Sequence, residues 1–134
     1  MRDFQVGGRS SVFAENGMCA TSTPLAAKVA VQLLESGGNA IDAAIGAAVL
    51  LGFCEPQSTG IGGDCFVLVQ PPNKTKPVAL NGSGRSPLGL DSEETRSSGF
   101  DSMPLYGVES VTVPGAIDAF CQLSNDWGRK GLKF

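Results

Sequence analysis

The run Ala43-Ala44-Ile45-Gly46-Ala47-Ala48-Val49-Leu50-Leu51-Gly52-Phe53 contains no polar side chain. Asn39 stands before it as a helix cap, and Asp42 falls in the first turn, where negative charge suits the exposed N–H groups. Glu55-Pro56 ends it, since proline restricts the residue that precedes it. The stretch therefore reads as a helix that is apolar on every side, and in water such a helix must be covered all round. A small two-layer fold has no place for it. The segment predicts a thicker body, and Ala44, Gly46 and Ala48 predict close approach by neighbouring elements. The apolar window at residues 40–54 is shorter than the roughly 20 residues a bilayer span needs, and Asp42 interrupts it.

Upstream, Ser22 or Thr23 caps another helix, Pro24 suits its first turn, and Leu25, Val29 and Leu33 form a stripe at helical spacing. Gly37-Gly38 supplies the stop. Earlier still, residues 10–14 and 18–21 read as a hairpin closed by Asn16-Gly17. Downstream, residues 57–64 form a glycine-rich loop that feeds a strand over residues 65–70, and residues 77–80 return antiparallel to it. A second glycine-rich loop follows at residues 81–87. Residues 88–105 are polar and weakly patterned, with a short helix near residues 91–96. Residues 111–113 read as a short strand. Pro114-Gly115 then opens a last helix, with Ala116, Phe120 and Leu123 on one face and an end near Trp127-Gly128. Helices and strands in this order give an α/β class.

Composition excludes more than it proposes. A chain of 134 residues is one domain or a piece of a larger one, and 42% hydrophobic against 17% charged residues argues against intrinsic disorder. The net charge of -3, with no cluster of Lys and Arg, argues against a nucleic-acid-binding face. There is no histidine, which removes Ser-His-Asp and Cys-His catalysis and every His-based metal site from this chain. Cys19, Cys54, Cys65 and Cys121 form no CxxC pair. Their even count admits disulfides, but three lie in apolar runs, and they read as buried free thiols in a reducing compartment. Residues 1–9 lack the apolar core of a signal peptide, so the expected location is cytoplasmic, with no membrane span. No metal and no cofactor is expected.

The polar candidates lie in the two glycine-rich loops. Consecutive N–H groups at residues 60–63 suit an anion, yet the loop runs helix to strand and lacks GK[ST]; close backbone packing is the plainer reading. Arg85, flanked by small residues, suits a bidentate clamp on a substrate carboxylate, with a solvated surface arginine as the alternative. Asp64 reads as a hydrogen-bond acceptor for loop amides or as a residue lining a site. Ser58, Thr59, Ser83 and Ser86 have no base near them in sequence.

Gly17-Met18-Cys19-Ala20-Thr21-Ser22-Thr23-Pro24-Leu25-Ala26 resembles the opening of the gamma-glutamyltransferase (gamma-glutamyltranspeptidase) family. So do Gly37-Gly38-Asn39-Ala40-Ile41-Asp42-Ala43-Ala44 and Glu55-Pro56-Gln57-Ser58-Thr59-Gly60-Ile61-Gly62-Gly63. Ser110-Val111-Thr112-Val113-Pro114-Gly115-Ala116 resembles a further block. The resemblance implies an N-terminal nucleophile hydrolase: a four-layer αββα sandwich, of which residues 1–134 are a single partial domain at the start of the large subunit. It implies a zymogen that cuts itself in two. The new N-terminal Thr of the small subunit is the nucleophile, with its own α-amine as base. That Thr attacks the γ-glutamyl amide of glutathione or a related compound, and the acyl group passes to water or an amino acid. The Thr is absent from this chain, so no catalytic residue is expected within it, and alone it is expected to be inactive. The implied partners are the rest of the large subunit, the small catalytic subunit and the γ-glutamyl substrate.

One block departs from the family pattern Arg-Glu-x-Ala-Pro, whose Arg holds the α-carboxylate of the γ-glutamyl group. Here the stretch is Gly82-Ser83-Gly84-Arg85-Ser86-Pro87, and alignment on Pro87 puts the family Arg at Ser83. Two residues along an extended loop amount to roughly 6 to 7 Å. The variant resembles a divergent branch that includes cephalosporin-acylase-like members. Arg85 is the substrate-binding candidate. The alternatives are a glutaryl or cephalosporin amide acylase, and a non-catalytic module that retains the scaffold.

Overall fold

Thr23 has extended backbone, and its hydroxyl accepts the Ala26 N–H at 3.3 Å, so helix α1 begins at the following proline and runs Pro24–Glu35. Gly37 ends it with a φ of 87°, the left-handed conformation expected there. The computed structural model describes residues 10–131; the readings made of residues 1–9 and of the last three positions lie outside the described residues. Helix α2, Ala40–Cys54, opens with a capping box: the Asn39 side chain accepts the N–H groups of Ile41 and Asp42, and the Asp42 carboxylate accepts the Asn39 N–H at 2.8 Å.

Helices α1 and α2 meet methyl to methyl. Ala26 and Ala30 of α1 and Ala43 and Ala47 of α2 form the buried cluster, flanked by Cys19, Leu34 and Leu51. The predicted stripe is thus rotated: Leu25 is 59% exposed and Ala26 is fully buried. Alanines win the interface because they let the two backbones close, and Leu33 and Val29 lie over Gly46, where a Cβ would strike Leu33.

The strands β1, Cys65–Val69, and β2, Val78–Gly82, pair antiparallel with Cys65 opposite Gly82 and Val69 opposite Val78. Cys65, Val67 and Val69 are half-buried, whereas Phe66 and Leu68 point the other way and are exposed. After the short helix α3, Ser92–Ser97, capped by Asp91, comes one turn of 3-10 helix at Val108–Ser110. Helix α4, Ala116–Trp127, packs on β2 and on α2 through Ala116, Ala119 and Leu123. The class is α/β, with a two-stranded sheet among the described residues.

Four expectations change. Residues 10–21 form no hairpin; Cys19 packs against the helical cluster, and Gly17 lies against Leu34. Residues 111–113 form no ladder strand, because the Val113 N–H bonds to the Arg85 carbonyl of a loop. The cysteines are free but half-buried, not buried. Helix α2 is covered incompletely: Ala43 and Ala47 are buried on the face toward α1 and Ile45 on the opposite face, while on the flank between them Val49 is 47% and Phe53 84% exposed. Among the described residues no helix is long and apolar enough to cross a membrane.

Candidate functional site

Helix α4 has no side-chain cap at Gly115. Instead the Gly63 carbonyl accepts the N–H groups of Gly115 and Ala116 at 3.1 and 2.9 Å. The first glycine-rich loop therefore presents an acceptor to the positive end of α4. It also lies close to α2, for a Cβ on Gly52 would come within 3.2 Å of the Gly60 Cα. The tight position in this approach is Gly52 of α2; a Cβ on Gly60 or Gly62 would meet nothing within 4 Å and no glycine of residues 60–63 has a positive φ, so the expected need for glycine there is not what the loop shows.

The second glycine-rich loop crosses this one. The Asp64 Oδ1 accepts the Gly84 N–H at 2.7 Å and the Thr112 hydroxyl at 3.1 Å. One residue along each segment, the Val113 N–H donates to the Arg85 carbonyl at 2.9 Å. Three distant stretches, ending β2, opening β1 and leading into α4, are thus tied at one junction. Only glycine fits at position 84: a Cβ there would strike the Val113 carbonyl and sit 2.7 Å from the Thr112 Oγ1. Arg85 is exposed at this junction, with its backbone fixed on both sides. Asp64 is exposed as well, and its expected role as acceptor for loop amides is observed, extended to the hydroxyl of Thr112. Of the hydroxyl candidates, Ser83 and Ser86 flank Gly84-Arg85 at this junction, and the other two do not. Ser58 and Thr59 sit in the turn after α2, where their N–H groups bond to the Glu55 carbonyl. The Ser83 N–H donates to the Asn81 side chain at 3.0 Å.

Beside the junction a cavity of about 370 Å³ is lined by Ser86, Leu90, Thr95, Arg96, Phe100 and Asp101 among others. Sequence reasoning did not single out Arg96; its signal is a cation in the last turn of α3, which by itself reads as helix-dipole complement. Burial pushes the Cys65 thiol up, so it stays protonated and weakly nucleophilic beside Asp64. Among the described residues no cluster of three or more His, Cys, Asp or Glu side chains is placed to hold a metal ion.

Asp42 lies elsewhere and does different work. It is 8% exposed, and beyond the capping box it accepts the N–H groups of Arg129 and Lys130 at 3.1 Å each. The Asn39 side-chain amide donates to the Trp127 carbonyl at 2.6 Å. The start of α2 and the end of α4 are thereby joined. Burial raises the Asp42 carboxyl, but the N–H groups of Asn39, Lys130 and Arg129, with the Lys130 charge, outweigh it and hold the group below the usual aspartate value.

The sequence profile of the family described as Gamma-glutamyltranspeptidase matches residues 26–134. A glutathione hydrolase-like YwrD proenzyme from Bacillus subtilis is 36% identical over 124 residues, which are 91% of this chain and 23% of that protein. A cephalosporin acylase from Bacillus halodurans, known as a crystal structure, superposes with a TM-score of 0.80 at 46% identity, over 96% of this chain and 25% of the other. A gamma-glutamyltranspeptidase from Pseudomonas nitroreducens complexed with L-DON gives 0.76 at 26% identity, over 87% of this chain and 35% of the other. The chain spans about a quarter of the length of the YwrD relative and of the acylase.

Proposed function

Because the chain belongs to the gamma-glutamyltranspeptidase family, we propose that it works as the N-terminal part of the large subunit of a γ-glutamyl hydrolase or transferase. The observation that supports this most is the junction: an exposed Arg85 whose backbone is pinned to a segment, residues 110–116, that itself resembles a family block. A guanidinium held by its backbone on an exposed side chain suits bidentate capture of the α-carboxylate of a γ-glutamyl donor. In this reading residues 1–134 are a partial domain of the four-layer αββα body. The open side of α2 and the exposed Phe66 and Leu68 of β1 are the surfaces that the rest of that body covers.

The division of labour follows. The Thr hydroxyl of the small subunit adds to the γ-glutamyl carbonyl carbon, the amide C–N bond breaks, and the amine leaves with the proton. Water or an amino acid then takes the acyl group, and the Thr hydroxyl is regenerated. This chain contributes orientation, by holding the far end of the donor. Cytoplasmic placement is proposed with it, supported by four cysteines that remain free.

A second reading has its own support. The 46% identity to a cephalosporin acylase favours a donor that lacks the α-amino group, such as a glutaryl amide. Both donors present a carboxylate at the same end, so Arg85 serves either. Turnover of glutathione against a glutaryl amide by the whole processed enzyme separates the two. Release of glutamate from glutathione is the expected result; turnover of the glutaryl amide alone would replace the first reading with the second. If Arg85→Ala leaves the KM for both donors unchanged, Arg85 is a solvated surface residue.

A further inference from the structure

We infer that Asp64 is a positioning residue for substrate capture, acting through the backbone of Arg85; this rests on the proposed anchoring role of Arg85. Family resemblance leaves Arg85 displaced by two positions, so something in this chain must set where its guanidinium emerges. The neighbouring backbone is held by few bonds. β2 ends at Gly82, and beyond it the sheet gives no support. The Ser83 N–H is satisfied locally by Asn81, a bond that fixes a turn but not its place against the rest of the molecule.

Among the described residues the long-range hydrogen bonds to the residues around Arg85 are the Gly84 N–H to Asp64, across 20 positions of sequence, and the Arg85 carbonyl to the Val113 N–H. The second depends on the first, because the same Asp64 oxygen holds the hydroxyl of Thr112, the residue next to Val113. One carboxylate oxygen thus sets the spacing between the two segments that grip Arg85. Asp64 lies at the edge of β1, whose first residue pairs with Gly82, so its own position is fixed by the sheet. The chain of restraint runs from the sheet through Asp64 to Gly84 and Thr112, and from both to Arg85. Asp64 is exposed, so the carboxylate is not needed to satisfy a buried core. A charge-assisted acceptor at a solvent-facing crossing of three loops is suited to fixing geometry.

The test uses the whole processed enzyme with γ-glutamyl p-nitroanilide and, as a donor without a carboxylate, butyryl p-nitroanilide. Asp64→Ala is expected to raise the KM of the γ-glutamyl donor about tenfold, the scale of one lost hydrogen bond to a charged group, with little change in kcat. The butyryl donor is expected to be unaffected. Asp64→Asn keeps an acceptor oxygen and is expected to recover most of the loss. In an Arg85→Ala background, Asp64→Ala is expected to add nothing. If Arg85→Ala raises the KM and Asp64→Ala does not, the inference about Asp64 is overturned while the anchor stands. If Arg85→Ala has no effect, the anchor itself falls, and the inference falls with it. Should Asp64→Ala fail to mature, Thr112→Val tests the same link by removing the hydroxyl alone; an unchanged KM there also overturns the inference.

Discussion

Two aspartates join distant parts of this chain by the same device, a carboxylate that collects hydrogen-bond donors, yet they sit in opposite surroundings. Asp42 is buried and gathers three backbone N–H groups where α2 begins and α4 ends. Asp64 is exposed and gathers one N–H and one hydroxyl where three loops cross. Removing a buried acceptor leaves donors that water reaches poorly, whereas removing an exposed one lets water take its place. The first arrangement therefore bears mainly on stability and the second mainly on geometry.

The comparison breaks most visibly at Asp42. Asp42→Ala is expected to cost the whole protein about 3 kcal/mol, because the N–H groups of Asn39, Arg129 and Lys130 lose their acceptor in a buried place. Urea denaturation measures it, and a loss no larger than that of Asp64→Ala would erase the distinction. Ala30→Leu inserts a branched side chain between helices that meet on alanines and is expected to cost about 2 kcal/mol in the same assay. Gly84→Ala drives a Cβ into the Val113 carbonyl; about 1 kcal/mol of stability is expected to go, together with a raised donor KM. A stability loss without any change in KM would sever the junction from substrate binding.

The smallest effect is that of pH. The folded Asp42 carboxyl titrates below its ordinary value, so the unfolded chain binds its proton more readily. Its contribution is full above the unfolded value and is lost as pH falls through the lower, folded one. Thermal unfolding across the acid range should show this slope, and Asp42→Asn should flatten it. An unaltered slope in the variant would assign the acid sensitivity to other carboxylates.

What was legible in the sequence follows the range of the interaction. Asn39, Asp42, Thr23 and Gly37 act on neighbours within a turn, and their capping roles are written in local residue order. Strands β1 and β2 were legible for the same reason, since apolar runs and prolines mark their limits. The rest depends on partners far away. Leu25, Val29 and Leu33 have the right spacing for a core stripe, but it is the alanine face of α2 that decides which side of α1 turns inward. Val111-Thr112-Val113 has strand composition, yet its partner is the backbone of Arg85, which no local pattern reveals. Of the candidate site, the types Asp64 and Arg85 were readable; their meeting through Gly84 and Thr112 was not.

The thick sandwich proposed around this chain requires that the open flank of α2 be closed in the whole protein. Hydroxyl-radical footprinting of the complete proenzyme, read by mass spectrometry at Phe53, tests it directly. The expected result is oxidation of Phe53 no faster than that of the buried Leu123. Oxidation as fast as in the urea-unfolded protein would contradict it, and the layered body would have to be given up.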